Sequence, residues 1–215
     1  MSPTPRFRHL LLITSLIVAS FGQACRDTGK HETRTVFRYN EASGISSLDP
    51  AFAKGQADIW ACNQLYNGLV QMDDELQVNP CIASSWAIGT DAVTYSFKLR
   101  NDVKFHSSEV FTGGTGRVVV AQDFVYSFGR LVDPLVASPG SWVMNAVATD
   151  STTASGLAVY APESDSLVIR LKYPFPPFLG ILTSQYCSVV PHEAVKRYGK
   201  DFRIHPVGTG PFVFR

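Results

Sequence analysis

Five histidines, at positions 9, 31, 106, 192 and 205, and four cysteines, at 25, 62, 81 and 187, are the side chains best suited to catalysis or metal binding. Their spacing supports neither. His192-Glu193 opens a segment of helical pattern, but position 196 is Lys, so the two-histidine zinc-protease motif does not form. The cysteines follow no metal-ligand spacing. A strand-borne nucleophile would need Gly-x-Ser-x-Gly, and none occurs. The glycine-rich stretch Gly113 to Gly116 lacks the lysine and following Ser or Thr of a phosphate-binding loop, which leaves a hairpin turn or an insertion. No carboxylate pair stands out for acid–base work. These residues indicate no enzyme, no metal site and no cofactor.

Chemistry being absent, the chain has to be read through its architecture. Its 215 residues suffice for one large domain or two small ones. A hydrophobic fraction of 45% and a charged fraction of 17% describe an ordinary globular protein. With 19 basic and 18 acidic residues the formal charge is +1, and no clustered basic face argues for nucleic acid. Aromatic residues make up 12%, many beside Pro or Gly. That pattern suits apolar surfaces held by loops, as in a ligand cleft, although packing alone could use them.

The first residues stand apart. Arg6, Arg8 and His9 form a basic head before the apolar run Leu10 to Phe21, "LLLITSLIVASF". A bilayer span needs about 20 residues, so this run fits a secretory signal over residues 1–24. It ends at "GQAC", which resembles a bacterial lipoprotein signal whose cysteine, here Cys25, carries the lipid anchor. Gly22 departs from the usual Leu-like residue, and cleavage nearby with Cys25 incidental is the alternative. Both place the mature protein outside the cytoplasm. Residues 25–35 are polar beyond Cys25 and read as a flexible tether. The remaining Cys62, Cys81 and Cys187 allow at most one internal disulfide, and buried thiols acting as small hydrophobes are the simpler reading.

Beyond the tether, Val36 to Asn40 reads as a short strand, and "EASGISSLDP" carries it through a kink at Gly44. Ile59, Cys62, Tyr66 and Leu69 have helical spacing, predicting a helix over 58–69 closed near Gly68. "VTYSFKLR" (93–100) alternates strictly, predicting a strand with one wet face. "AQDFVYSFGRLVD" places Phe124, Phe128 and Leu131 on one helical face before Pro134. Residues 140–162 are mostly small and polar, apart from Trp142. "SLVIRLK" (166–172) is a second alternating strand, "YPFPPFLGIL" enters a short helix, and Pro191 and Gly199 bracket another. "PVGTGPF" (206–212) is a tight turn, and the "FVFR" that ends it opens a strand pattern. The mixture lacks a regular repeat, so the class is α/β or α+β with more than one subdomain.

In this order the segments resemble one family, the large extracytoplasmic solute-binding proteins of peptide- and nickel-type ABC importers. The resemblance rests on "SSLDPAFA" (46–53), "LYNGLV" (65–70), "VNPCIASSW" (78–86) and "VTYSFKLRNDVKFH" (93–106). It continues through "AQDFVYSFGRLVDP" (121–134), "PFPPFLGIL" (174–182), "VVPHEAV" (189–195) and "PVGTGPF" (206–212). Cys81 departs from an aliphatic position, and the loop within "SSEVFTGGTGRVVV" is longer than usual.

The resemblance implies an α/β fold of the periplasmic-binding-protein type, class II. This chain would supply the N-terminal lobe with its extra subdomain. Residues 36–44 and 166–215 would form part of lobe I, and 45–165 the subdomain inserted in it. In the family a second lobe follows the Gly-Thr-Gly-Pro-Phe turn, so the chain is expected to be the N-terminal part of a longer protein. Lobes of such proteins close over a ligand, and the closed form docks on a membrane permease. The implied partners are a peptide or other small solute, an ABC permease and a membrane reached through the lipid; the protein is expected to be monomeric. Ser43, Gly44 and Ile45 would pair with ligand backbone, Gly44 because a missing Cβ lets another chain approach. An ordinary turn glycine is the alternative there. Trp142 would supply an aromatic wall, or else a core side chain. Nickel chelates and haem are the competing cargo, and a lipid-anchored interaction module without cargo is the competing class.

Overall fold

The structure, a computed structural model, describes residues 40–42 and 44–214. The signal, Cys25, the tether, the strand expected at 36–40 apart from Asn40, and Ser43 lie outside these residues. Residues from Glu41 onward form one compact unit.

Its centre is a four-stranded sheet in which every pairing is antiparallel. Strands β3 (Ala83–Ile88), β4 (Thr94–Leu99), β5 (Val159–Glu163) and β6 (Ser166–Arg170) take the order β3-β4-β6-β5. A separate hairpin pairs β1 (Val70–Met72) with β2 (Val78–Pro80). The alternation predicted for β4 is there: Tyr95, Phe97 and Leu99 are buried, while Ser96 and Lys98 face solvent. Across from them Ile169 and Leu167 of β6 are buried, in the register Tyr95↔Ile169 and Phe97↔Leu167. Burial of such side chains is worth about 1.5–3 kcal/mol each, and a one-residue slip would expose the whole set. The boundary expected at 165/166 falls in the turn between β5 and β6, which pair with each other.

Among the described residues there are four α-helices: α1 (Gln56–Leu65), α2 (Ala121–Val132), the single turn α3 (Phe178–Ile181) and α4 (His192–Tyr198). Helix α2 packs on β5 and β6 with Phe124, Phe128 and Leu131 buried, as their spacing predicts. Phe178 of α3 meets Tyr95 of β4 edge to face, with ring centroids 5.2 Å apart.

Helix α1 is shorter than its apolar spacing predicts. Tyr66 is extended (φ −131°, ψ 161°), and residues 67–69 bond to neighbours instead of continuing the helix. Asn67 O accepts from the Val189 amide, Gly68 O from Ile82, and Leu69 O from Cys81 and Ala83. Tertiary partners thus outcompete helical ones. The segment 206–212 then caps α1, the Gly210 and Phe212 amides donating to the Leu65 and Gln64 carbonyls at 2.9 and 3.1 Å. His106 secures the turn, its amide donating to Gly208 O (2.7 Å) and its Nε2 lying 2.8 Å from Gly210 O. The strand expected to begin at Phe212 is not formed over 212–214, because the amide of Phe212 is engaged by a helix end and not by a sheet.

Two arginines tie the layers together. Arg130 of α2 grips Asp49 with both terminal nitrogens, at 2.6 and 3.2 Å, and the pair is nearly buried. Arg117 binds Asp123 at the first turn of α2 (2.7 and 2.8 Å) and Glu193 at the first turn of α4 (2.6 and 2.9 Å). Its guanidinium also lies over the Phe105 ring, 5.1 Å from the centroid. A lysine reaches only one partner at a time. Arg117→Lys is therefore expected to lower stability by about 1–2 kcal/mol, read as the urea midpoint.

Candidate ligand-binding cleft

Near the start of the compact unit lies an open concavity of about 400 Å³, lined by Glu41, Gly44, Ser46, Gly55, Gln56, Ala57 and Asp58. One wall is the first turn of α1; the other is the segment that carries two of the predicted site residues.

Gly44 has a left-handed backbone, φ +69°, and its amide donates to Glu41 O at 3.4 Å. Among the described residues beyond its chain neighbours, no atom lies within 4 Å of where a Cβ would stand. The position thus combines a turn that favours glycine with free space beside it. Ile45, next along, is 43% exposed. Opposite, the buried carboxylate of Asp58 holds the following two residues. Oδ1 accepts the amides of Ser46 (2.7 Å) and Ser47 (3.3 Å), and Oδ2 accepts the Ser46 hydroxyl (2.7 Å). Burial alone would raise the Asp58 pKa, but the Ser46 hydroxyl and these amides outweigh it and hold the carboxyl below its ordinary range. The group therefore stays charged at neutral pH.

Trp142 sits in a 3-10 turn, Ser141–Met144, where Val143 and Met144 point into the core and Trp142 is 50% exposed. It is therefore not a core tryptophan, and it is not part of the wall of the concavity. Its loop is nonetheless tied to the chain just past the candidate segment. Ser138 Oγ donates to Ala51 O (2.5 Å), and the Gly140 amide donates to Ser138 Oγ (3.0 Å). Gly140 also allows a close approach to Tyr186, whose ring would lie 2.3 Å from an added Cβ.

Cys62, Cys81 and Cys187 are free thiols. Burial pushes the Cys62 and Cys187 thiols up to about 12, with Asp49 and Asp58 adding to the effect at Cys62. Such groups are inert as nucleophiles at neutral pH. Among the described residues no three His, Cys, Asp or Glu side chains converge as a metal site would require. No helix of the described residues is long and apolar enough to cross a membrane.

Asp58 is the residue that sequence reasoning missed. Its only local signal was an acid in the first turn of a helix, where it also complements the helix dipole. That its acceptor atoms serve Ser46 and Ser47 depends on the fold.

With this geometry in place, comparison with known proteins settles the family. Residues 77–215 match the Bacterial extracellular solute-binding proteins, family 5 Middle. The chain belongs to this family. Among family 5 relatives, the periplasmic murein peptide-binding protein MppA of Escherichia coli K12 is 28% identical over 95% of this chain and 38% of its own length. The periplasmic oligopeptide-binding protein OppA of the same strain is 32% identical over 80% of this chain and 31% of its own. Among solved structures, the substrate-binding domain of an oligopeptide ABC transporter from Bacillus anthracis superposes with a TM-score of 0.75 at 25% identity. That superposition covers 84% of this chain and 35% of the other. The expected fold, a partial lobe of a class II periplasmic binding protein, is borne out by these likenesses. The chain spans 38% or less of the length of these relatives. They are solute-binding proteins rather than enzymes.

Proposed function

We propose that the chain serves as part of the solute-capturing component of an ABC importer and that its cargo is peptides. The observation that carries this reading is the family membership, together with relatives named for binding murein peptides and oligopeptides. The cleft is compatible with it. Gly44 to Ser46 are exposed residues with space beside Gly44. Although the Gly44 and Ser46 amides are engaged within the chain, the Ile45 amide and the carbonyls of this segment would be the groups that pair with the main chain of an extended peptide. Main-chain pairing binds without selecting side chains, and Ser43 would extend the paired edge. The half-exposed ring of Trp142, outside the concavity, would offer an apolar surface to parts of the ligand that extend beyond it.

In this reading Cys25 carries a lipid that keeps a monomeric protein membrane-anchored, in the periplasm or on the extracellular face. A second lobe closes over the ligand, and the closed form delivers it to the permease. Residues 36–44 would belong to the lobe that carries the ligand edge.

Ligand binding to the native state raises the melting temperature by mass action. At 100 times the dissociation constant the gain is about 2.7 kcal/mol, an upward shift of several degrees for a chain of this size. In the full-length protein, with its second lobe, di-, tri- and tetrapeptides of varied side chains are expected to give such shifts by scanning fluorimetry. Shifts with nickel chelates or haem, and none across the peptides, would replace peptide by another solute.

A further inference from the structure

The segment Gly44 to Ser46 has no strand partner among the described residues; regular pairing of its backbone with the fold begins only at Leu48, whose amide donates to Arg203 O at 2.8 Å. With the Gly44 and Ser46 amides engaged by Glu41 and Asp58, a ligand-pairing edge here must hold the Ile45 amide and the segment's carbonyls in a fixed direction before the ligand arrives. We propose that Asp58 is the positioning residue that holds this edge against the first turn of α1. This rests on the peptide-capture reading above.

Three features of the structure carry the assignment. First, Asp58 is 4% exposed, so its carboxylate is committed to protein partners and not to water. Second, both of its oxygens face one target: Oδ1 takes the two consecutive amides of Ser46 and Ser47, and Oδ2 the Ser46 hydroxyl. A carboxylate that accepts two successive amides fixes the direction of the backbone between them, which a single bond could not do. Third, Asp58 and Ser46 line the same concavity as Gly44, so the anchor lies one residue from exposed Ile45 and two from the glycine turn. The Gly44 turn at one end and the Asp58 anchor at the other leave Ile45 as the only residue between them. Ordering a short edge in advance removes that ordering cost from the binding step. Asp58 itself need not touch the ligand.

The test compares the full chain with Asp58→Ala and Asp58→Asn, using hydrogen exchange at the Ser46 and Ser47 amides and calorimetric titration with trialanine. Trialanine offers little besides main chain. Asp58→Ala is expected to speed exchange at both amides at least tenfold and to weaken trialanine binding at least tenfold, with slow core amides such as Phe97 unchanged. Asp58→Asn keeps one acceptor oxygen and is expected to fall between wild type and Asp58→Ala on both readouts. Faster exchange with unchanged affinity would overturn the positioning role; unchanged exchange would overturn the anchor. Should Asp58→Ala fail to fold, Asp58→Asn against wild type decides both points by the same criteria. If wild type binds no trialanine or other tripeptide while its two amides are protected, the peptide reading fails and the ligand role of Asp58 fails with it, leaving a structural anchor.

Discussion

Gly208→Ala is expected to destabilise the chain by about 3 kcal/mol or more, the range reserved for severe core clashes. An added Cβ would stand 1.9 Å from the Leu65 carbonyl oxygen and 2.8 Å from the Tyr66 ring. Neither neighbour has room to retreat. The Leu65 carbonyl is the last turn of α1 and already accepts the Gly210 amide, and Tyr66 is 2% exposed. The turn cannot move away either, since the His106 amide holds Gly208 O at 2.7 Å. Gly156→Ala is the informative contrast. That glycine has φ +71°, and among the described residues beyond its chain neighbours nothing lies within 4 Å of the Cβ position, so only backbone strain applies, about 1–2 kcal/mol. Denaturant unfolding of the two variants separates close approach from conformational freedom. A Gly208→Ala protein within about 1 kcal/mol of wild type, against the cost of such a clash, would mean that the 206–212 turn does not seat on helix α1.

Arg130→Met is expected to cost about 3–5 kcal/mol, because it strands the Asp49 carboxylate in a buried site without its cation. Asp49 and Arg130 side chains are 5% and 10% exposed, so water offers little compensation. Asp49 also caps the 3-10 turn Pro50–Phe52 through the Ala51 amide, so it cannot simply swing out. The loss is that of an unpaired charge more than of an attraction. Adding Asp49→Asn, which keeps the cap and removes the charge, is accordingly expected to recover more than half of it. A double variant as unstable as Arg130→Met alone, measured by the same unfolding experiment, would show that the arginine acts through packing on Phe202, 5.8 Å from its guanidinium, and not through charge.

The parts of the fold legible in the sequence were those with one wet and one dry face. β4 and β6 alternate cleanly, and α2 shows a clear apolar stripe. β3 and β5 gave no such signal because they are edge strands. "ASSWAI" buries little beyond Ala83, and "VYAPE" contains Pro162, which an edge with a register shift between Tyr160 and Glu163 accommodates. The end of α1 was misplaced for a different reason. Tyr66 and Leu69 are buried as helical spacing implies, yet Tyr66 is already extended, and the Leu69 carbonyl serves Cys81 and Ala83, more than ten residues away, instead of a helical neighbour. The candidates Gly44 and Ile45 came from resemblance; Gly44 lines a concavity and Ile45 is exposed next to it, while Trp142 is half-exposed and outside that wall. Asp58 could not be found, because a carboxylate reaching from a helix to a loop leaves no spacing rule in the chain.

One measurement bears most directly on the whole account: photo-crosslinking of a tripeptide carrying a benzophenone side chain, followed by peptide mapping of the adduct. Adducts concentrated at residues 44–46, and competed away by trialanine, are the predicted result. Saturable labelling that instead maps to the groove of Tyr126 and Arg130 on α2, or to the polar face around Asp150 and Tyr160, would contradict it.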